Sequence, residues 1–443
     1  MGMEYIPKTD AEDSAMLEQI GVASFEALLE IPLPLRLNRP LDLPSPLSQM
    51  ELQQAMRGLS KKNKVLSSFL GGGSYNHFIP STVNAVLSRS EFYTAYTPYQ
   101  AEMSQGLLQT IYEYQSLICN LTGMEVSNAS VYDGASALAE AALMAIRITK
   151  RSEVVMAHAT HPHYRAVVQT YLSGSNVLIK EIPLLTGRTS IAHLSEQVGE
   201  KTACILIQHP NFLGQLEEMD EIVEIARKNG ALLVMSVDPI SLGILKTPGE
   251  WGADIAVGEG QSMGNSISFG GPYVGFFATR RDFIRQMPGR IVGRTVDLEG
   301  RPAYCLTLQT REQHIRRERA TSSICTNQAL NALAVAVYLS TLGPEGLKEV
   351  AMLCLTKARQ LQEKITAIDG FTAPFPEHSF KEFVVKTPRP ANILLKQLLR
   401  KGIFGGIDLG KYDTELTDHL LICVTEKHTT EEMEKLIACL KHS

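Results

Sequence analysis

The sequence lacks the basic surplus, the long apolar runs and the paired cysteines that mark several classes of protein. Its formal net charge is -5, with acidic and basic residues interspersed, which argues against a protein that binds nucleic acid or an anionic membrane. No apolar run approaches the length of a membrane span. The seven cysteines are dispersed, without a CxxC or a zinc-finger spacing, and indicate reduced thiols in a cytoplasm.

The first residues, MGMEYIPKTDAEDSAM, also lack the basic and apolar regions of a signal peptide. What the chain does have is length and an ordinary composition. Its 443 residues are 44% hydrophobic and 20% charged, which is enough for a large core and two or three domains. We therefore expect a globular cytoplasmic protein.

Changes of texture along the chain divide it into three parts. The proline cluster IPLPLRLNRPLDLPSP cannot form a continuous helix or a central strand, and a glycine-rich loop, FLGGGSYNHFIP, follows it. After about residue 330 a long apolar helix leads into a smaller mixed segment. We predict an N-terminal arm over 1–80, a large domain over 81–330 and a small C-terminal α/β domain over 331–443.

The large domain alternates apolar strands with helices. The segments GLLQTIYEYQSLICNLTGM, ALAEAALMAIRIT and EEMDEIVEIARKNG have helical periodicity. Strands are predicted in SEVVMAH, NVLIKEIPL, TACILIQHP, ALLVMSVDP, ADIAVGEG and YVGFFAT. Such alternation is typical of a mostly parallel sheet covered on both faces, in which ligands bind beyond the carboxyl ends of the strands.

Two predicted strand ends carry candidate site residues. Asp238 follows the strand in VMSVDPISLG, where a carboxylate could pair with a cationic ring nitrogen or a metal, or could simply begin a turn before Pro239. The second strand end, GEGQSMGNSISFGGPYVG, has the glycine content of a ligand-binding loop but contains no lysine, arginine or histidine.

Two further segments could contribute to a site. In VYDGASALAEAA the start of a helix could hold a phosphate through its free amides and the Ser136 hydroxyl, and a helix cap without ligand is equally consistent. EFYTAYTPYQAEMSQG places Tyr93, Tyr96 and Tyr99 beside Gln100, which favours a pocket or an interface over simple packing. The histidines of HATHPHYRAV have no metal-ligand spacing, and no metal site is expected.

Long stretches of the chain resemble one family. FLGGGSYNHFIPSTV, the block from FYTAYTPYQAEMSQG to YDGASALAEA, IQHPNFLGQLE, WGADIAVGEGQSMGNSISFGGPYVGFFA and RIVGRTVDLEGRPAYCLTLQTREQHIRRERATSSICTNQAL are similar to the P-protein of the glycine cleavage system. The similarity covers essentially the whole chain. It is strongest to the first (alpha, N-terminal-half) chain of the form in which P-protein is split into two subunits.

The resemblance implies a pyridoxal-phosphate enzyme of fold type I, the aspartate-aminotransferase-like α/β fold with a mostly parallel central sheet. P-protein decarboxylates glycine and passes the aminomethyl group to the lipoyl group of H-protein, with the cofactor ring as electron sink. The family needs a lysine to hold the cofactor as a Schiff base and an aspartate at the ring nitrogen. By this resemblance Asp238 is the aspartate.

The lysine is absent from its place in the family pattern. Catalytic relatives carry it directly after a histidine, and alignment with ADIAVGEGQSM puts Gln261 at the histidine and Ser262 at the lysine. Serine cannot form an imine. Lys246 follows Asp238 too closely in the sequence to replace the lysine, and it is interpreted as a surface residue. Ser136, Asp238, Gln261 and Ser262 are therefore expected to line a vestigial cofactor pocket.

The split form explains the missing lysine, because there the cofactor lysine belongs to subunit 2. The resemblance implies an alpha2-beta2 assembly in which subunit 2 holds the cofactor, with lipoylated H-protein and glycine as further partners. Candidates to reach the partner's pocket are Tyr93, Tyr96, Tyr99 and Gln100, followed by His77, Thr321, Ser322 and Ser323. Two alternatives stay open: a self-sufficient pyridoxal-phosphate decarboxylase or aminotransferase with an unusual lysine, and a purely structural partner subunit.

Overall fold

The computed structural model describes residues 8–29, 31–37, 39–96, 98–324, 326–375 and 378–442. The first seven residues, part of the segment compared with a signal peptide, and Cys325 therefore lie outside the described residues. The chain divides into two compact units, one up to Val65 and one from Leu66 onwards. Within the described residues, every helix is too short or too polar to cross a membrane.

The first unit contains the helices α1 (Asp10–Ile20) and α2 (Gln49–Ser60). Both begin with a capping box, in which Thr9 and Ser48 accept the backbone N–H of the glutamate three residues later. Neither helix contains a buried residue among those described. The two helices therefore contribute no apolar core of their own.

The second unit holds the remaining helices and all strands among the described residues. Its helices are α3 (Ser81–Leu87), α4 (Ser90–Tyr93), α5 (Gln105–Thr122), α6 (Gly134–Thr149), α7 (Pro162–Leu172), α8 (Ile191–Gln197), α9 (Met219–Asn229), α10 (Pro248–Trp251), α11 (Gln313–Arg316), α12 (Ala329–Thr366), α13 (Ala391–Arg400) and α14 (Thr430–Lys441). Its strands are β1 (Ser67–Ser68), β2 (Val126–Ser127), β3 (Glu153–Ala157), β4 (Leu178–Ile182), β5 (Leu184–Leu185), β6 (Arg188–Thr189), β7 (Thr202–His209), β8 (Leu232–Val237), β9 (Ile255–Glu259), β10 (Gly275–Thr279), β11 (Ile291–Val296), β12 (Pro302–Thr307), β13 (Glu382–Lys386), β14 (Ile403–Phe404), β15 (Ile407–Asp408) and β16 (His419–Cys423).

The central sheet contains the six strands predicted from the sequence, together with the short β2. Its order is β2-β10-β9-β8-β7-β3-β4, with parallel pairing from β4 to β9 and antiparallel pairing at β10. Alternate side chains of β7 enter two different cores: Ile205 and Ile207 pack on one face, Cys204 and Leu206 on the other. Both faces of the sheet are therefore covered, as its continuous apolar strands require.

The smaller sheet is formed by β13, β16 and β15 and packs against α13, α14 and the second half of α12. The long helix α12 is interrupted at Gly343, which has φ 63° and ψ −176° and precedes Pro344. Strand β1 pairs with β14. Residues 67–68, which the sequence assigned to the arm, therefore pair with a strand of the predicted C-terminal domain.

Candidate functional site

The carboxyl ends of β8 and β9 meet at one edge of the central sheet. The two strands are parallel neighbours, with Val237 opposite Gly258. Asp238 follows β8 directly, and Glu259 is the last residue of β9. This edge is where ligands bind in open parallel sheets, so the residues around it form the candidate site.

Asp238 is paired with a buried lysine of this same chain. Lys381 Nζ lies 2.7 Å from Asp238 Oδ2, 3.0 Å from His77 Nε2 and 3.5 Å from the centre of the Tyr75 ring. Burial by itself lowers the pKa of Lys381, but the Asp238 carboxylate, together with Cys423 and Cys354, outweighs burial and the pKa is raised. Lys381 is thus an ammonium ion whose three N–H groups all point to partners.

His77 continues this chain of contacts to Glu426. The Nδ1 atom of His77 lies 2.7 Å from Glu426 Oε2, and Lys381 approaches the other ring nitrogen, Nε2. Burial and the Lys381 charge lower the pKa of His77. A neutral ring that donates from Nδ1 to Glu426 and accepts at Nε2 from Lys381 satisfies all of these contacts.

The same cluster contains a group of potential metal ligands. Ligand atoms of His77, Cys354 and Glu426 lie within 4.8 Å of one another. The His77 nitrogens already face Glu426 and the Lys381 ammonium, which would repel a metal ion. The geometry therefore favours an internal ion-pair network over a metal centre.

The glycine-rich segment at residues 71–75 folds over these strand ends. The Tyr75 N–H donates to Gln261 Oε1 (2.8 Å), and Gln261 Nε2 donates back to the Tyr75 carbonyl (3.0 Å). Glu382 accepts the Gly72 N–H and the Tyr75 hydroxyl, at 2.6 and 2.7 Å. Gly71 is required here because a Cβ atom would lie 2.2 Å from Glu382 Oε1. Burial raises the pKa of Glu382 to about 7.

The side chain of Glu259 extends from the end of β9 to the start of helix α6. Its Oε2 accepts the Gly134 N–H (3.0 Å), and its Oε1 accepts the N–H groups of Gln261 (3.0 Å) and Val274 (3.1 Å). Removal of the carboxyl from water raises the pKa of Glu259 to about 8, although the three N–H donors act in the opposite direction. The first backbone amide of α6, that of Gly134, is thus bound to a side chain of the same chain.

Ser136 completes the local structure at the same helix end. It forms a capping box with Asp133: the Ser136 N–H donates to Asp133 Oδ1 (2.7 Å), and the Ser136 hydroxyl accepts the Asp133 N–H (3.2 Å). A Cβ atom on Gly134 would lie 2.3 Å from the Tyr164 hydroxyl oxygen. Tyr164, Asp133 and Glu259 therefore surround the residues that could have cradled a phosphate.

Ser262 lies at the turn after β9 and is 2% exposed. Within the described part of the chain its hydroxyl has no hydrogen-bond partner. Its side chain is too short to reach a ligand as a lysine would. Lys246, the alternative lysine, is exposed, and its Nζ lies 4.3 Å from the centre of the Trp251 ring.

The residues predicted to reach a partner form a separate group. Tyr93, Tyr96 and Tyr99 are 55%, 82% and 50% exposed, and Gln100 is exposed as well. Tyr99 is anchored, since Arg290 Nη2 donates to its hydroxyl oxygen at 2.6 Å. This segment presents aromatic surface from a fixed base.

The segment around Thr321 and Ser322 lies against α6 and the turn before it. The Ser322 hydroxyl donates to Glu140 Oε1 (2.7 Å), and the Thr321 N–H donates to the Arg311 carbonyl (3.0 Å). Arg311 is 8% exposed and donates to the carbonyls of Met287 and Gly289. Arg311 is therefore held inside the protein, although it stands in a run of charged residues, TREQHIRRERAT.

Lys381, Glu382 and Glu259 are the site residues that sequence reasoning missed. The pattern SFKEFVVK offered a signal, because two charged residues stand at the start of an otherwise apolar strand. Buried lysine and glutamate side chains are rare unless paired. The sequence alone could not identify Asp238 as the partner.

Comparison with known proteins identifies a family whose members this chain resembles over nearly its whole length. The profile of the family described as glycine cleavage system P-protein matches residues 3–440. Two similar curated proteins are each described as "Probable glycine dehydrogenase (decarboxylating) subunit 1". The one from Desulforamulus reducens is 54% identical over 442 residues, and the one from Moorella thermoacetica is 50% identical over 440 residues. Each alignment covers 99% of both chains.

Solved structures give the same fold. A crystal structure of glycine decarboxylase (P-protein) of the glycine cleavage system, in inhibitor-bound form, is 43% identical, with a TM-score of 0.91 over 99% of this chain and 100% of that chain. A NifS-like protein is only 16% identical, with a TM-score of 0.65 over 85% of this chain and 99% of that one, and shows the fold alone. The fold is thus fold type I of the pyridoxal-phosphate enzymes, and the chain belongs to the glycine cleavage system P-protein family.

Proposed function

We propose that this chain is subunit 1 of a two-chain glycine decarboxylase in the glycine cleavage system. With a homologous subunit 2 it decarboxylates glycine, releases carbon dioxide and transfers the aminomethyl group to the lipoyl group of H-protein. The observation that carries the proposal is Ser262, in the turn after β9, where the resemblance to the family places the lysine. The "subunit 1" descriptions of full-length relatives support this assignment.

The residues at the strand ends of this chain do not fit pyridoxal phosphate. Ser262 cannot form an imine, Asp238 is paired with Lys381, and Glu259 holds the amides at the start of α6. When bound, the cofactor supplies an electron sink for the carbanion that decarboxylation creates. We therefore assign pyridoxal phosphate and its lysine to subunit 2.

This chain's own contribution is a wall of the neighbouring pocket. In enzymes of this fold type two chains pair around the active sites, so a lysine-free chain can still contact its partner's substrate. Tyr93, Tyr96 and Tyr99 present exposed rings, and Tyr99 is held by the buried Arg290. Ordered aromatic side chains bind, orient and exclude water at little cost in side-chain entropy.

We assign further residues to the same role on the basis of position. Gln100 follows the tyrosines and is exposed. Thr321 and Ser322 belong to a segment that is fixed by Arg311 and Glu140. His77 contributes less directly, because it is buried beside Lys381. We further propose an alpha2-beta2 assembly in the cytoplasm, in keeping with the dispersed cysteines.

Reconstitution tests the division of labour. Each subunit is purified alone, the two are mixed, and exchange of bicarbonate with the carboxyl group of glycine is measured with lipoylated H-protein. We expect exchange only in the mixture, and a visible cofactor absorption band that co-purifies with subunit 2. A band that belongs to this chain alone, and that borohydride removes, would support the self-sufficient enzyme and overturn the proposal.

The purely structural alternative requires a second comparison. A structural partner would stabilise subunit 2 without touching the reaction, so alanine at Tyr96 and Tyr99 would change assembly but leave turnover unchanged at saturating partner. A pocket wall predicts the reverse: normal assembly, measured by gel filtration with light scattering, and reduced exchange. Assembly and exchange, measured on the same variants, therefore distinguish a structural partner from a chain that lines the pocket.

A further inference from the structure

We propose that Lys381 and Glu259 occupy, from within this chain, the places of the two polar ends of pyridoxal phosphate. Lys381 substitutes for the protonated ring nitrogen at Asp238, and Glu259 substitutes for the phosphate at the start of α6. The chain thereby excludes the cofactor from its own strand ends for a reason beyond the absent lysine. This inference deepens the proposed function and rests on it.

Asp238 already has a positively charged partner within this chain. The Asp238 side chain is only 11% exposed, so as a carboxylate it needs a partner. In a loaded enzyme of this fold type the ring nitrogen would provide that partner. Here the Lys381 ammonium lies 2.7 Å away and is itself 1% exposed. Asp238 is therefore already neutralised, and a second cation would gain little from it.

Backbone N–H groups at and beside the start of α6 already have acceptors within this chain. A phosphate at a helix N-terminus binds to free backbone N–H groups. In this chain Gly134 donates to Glu259, the Ser136 N–H donates to Asp133, and the Gln261 and Val274 N–H groups also donate to Glu259. These donors are occupied before any ligand arrives.

The two substitutes are held by separate parts of the chain that lock each other in place. Gln261 joins the turn after β9 to the Tyr75 backbone by a reciprocal pair of hydrogen bonds. The Tyr75 hydroxyl reaches Glu382, the neighbour of Lys381, and the Tyr75 ring lies under the Lys381 ammonium. The residues 71–75 thus close over the strand ends, and the arrangement does not depend on one chance contact.

Binding of pyridoxamine 5′-phosphate to the full-length chain tests the inference. This probe carries the ring nitrogen and the phosphate but no aldehyde, so it cannot react with surface lysines. Four proteins are compared by equilibrium dialysis and by the shift in melting temperature: the unaltered chain, Lys381→Met, Glu259→Ala/Lys381→Met, and Asp238→Asn/Lys381→Met. The last variant is the matched control, since it also lacks Lys381 but offers no carboxylate to the ring nitrogen.

We expect weak or no binding by the unaltered chain and by the Asp238→Asn control. Binding should tighten at least about tenfold in Lys381→Met, roughly 1.4 kcal/mol of binding free energy, and further when Glu259→Ala is added, because alanine removes the oxygens that occupy the Gly134, Gln261 and Val274 N–H groups. Micromolar binding by the unaltered chain would overturn the inference. If Glu259→Ala/Lys381→Met folds but binds no better than the unaltered chain, the inference is overturned too, because packing alone would then close the site.

Loss of folding in Lys381→Met would also be informative. The probe should then restore the cooperative melting transition, since it supplies the cation that Asp238 has lost, and it should fail to do so in the Asp238→Asn control. An absence of rescue counts against the inference. All of these measurements use this chain without subunit 2. A negative result here with normal exchange by the complex would overturn only the inference. A positive result here without exchange by the complex would count only against the proposed function.

A Ser262→Lys variant supplies the last comparison. If the missing lysine were the whole cause, Ser262→Lys alone would retain pyridoxal phosphate through gel filtration. We expect it to retain no more than the unaltered chain, and we expect retention only when Glu259→Ala and Lys381→Met are present as well. Stoichiometric retention by Ser262→Lys alone would overturn the inference.

Discussion

Lys381 and Asp238 form an ion pair of 2.7 Å in which the lysine side chain is 1% exposed and the aspartate side chain 11%. Lys381 immediately precedes β13 of the smaller sheet, whereas Asp238 immediately follows β8 of the central sheet. The pair therefore joins two separately formed sheets at the family's cofactor edge. The effect of substituting Lys381 on the free energy of unfolding should therefore depend strongly on whether Asp238 is present.

The first prediction is that Lys381→Met destabilises the chain by about 3–5 kcal/mol, because it leaves the Asp238 carboxylate buried without a counter-charge. The double variant Asp238→Asn/Lys381→Met should recover a large part of this loss. Urea unfolding of the full-length chain, monitored by circular dichroism, gives both values. Together with Asp238→Asn they complete a double-mutant cycle.

An exposed lysine provides the control for this cycle. Lys246→Met removes a charge from the surface beside Trp251 and should change the free energy of unfolding by less than about 0.5 kcal/mol. Equal losses for Lys381→Met and for the double variant would mean that packing of the lysine stem, and not its charge, holds the two sheets together.

The sequence predicted the central sheet well because each of its strands is a local pattern. β7 and β8 are continuous apolar runs that end in polar or proline residues, so the strand ends and Asp238 could be located by reading the chain. The helix α6 could be located in the same way from Asp133 and the small residues that follow.

The occupants of the strand ends could not be predicted in this way. Lys381 and Tyr75 reach Asp238 from distant parts of the chain, and no periodicity or spacing encodes which buried charges will meet. Glu259 stands inside the predicted strand ADIAVGEG, yet its role depends on the approach of Gly134 from another element. The absent lysine was visible in the sequence; the residues that replace the cofactor's contacts were not.

The second prediction concerns acid stability and His161. The Nε2 of His161 lies 2.7 Å from the Gly72 carbonyl, and its Nδ1 accepts the His163 N–H. Burial, together with the nearby Arg165 and His163, lowers the pKa of His161 to about 4. The unfolded chain takes up this proton near pH 6.5. Stability from the neutral ring is therefore complete above pH 6.5 and is lost as the pH falls towards 4.

This loss should reach about 3 kcal/mol at pH 4 for His161, as an order of magnitude from the size of the pKa difference. His161→Gln should flatten the pH dependence of the urea midpoint between pH 6.5 and 4. His442→Gln, at an exposed position after α14, is the matched control and should leave the slope unchanged. Identical slopes for His161→Gln and the unaltered chain would contradict the prediction.

The third prediction concerns the close approach at the start of α6. In Gly134→Ala the new Cβ would lie 2.3 Å from the Tyr164 hydroxyl oxygen and 3.0 Å from the Glu259 backbone nitrogen. We expect a loss of about 1–3 kcal/mol in the free energy of unfolding. Tyr164→Phe in the Gly134→Ala background should recover part of this loss. Gly174→Ala, where nothing lies within 4 Å of the added atom, should have little effect.

The fourth prediction compares the exposed ring of Tyr96 with the hydroxyl of Tyr99, which is bound to Arg290. Tyr96 is 82% exposed in this chain, so Tyr96→Ala should leave the free energy of unfolding of the chain within about 0.5 kcal/mol. In the complex with subunit 2 it should lower glycine–bicarbonate exchange by about tenfold or more, because a missing wall lets substrate and water move. Tyr99→Phe keeps the ring but loses the hydroxyl that accepts from Arg290.

The two tyrosines should therefore differ in a measurable way. Tyr99→Phe is expected to reduce exchange less than Tyr96→Ala and to lower stability slightly, since the buried Arg290 loses one acceptor. Met352→Ala, which removes another exposed apolar side chain, from α12, controls for a general loss of surface. Should Tyr96→Ala and Met352→Ala support equal exchange at equal occupancy of the complex, Tyr96 has no part in the pocket, and the chain acts on its partner through other residues.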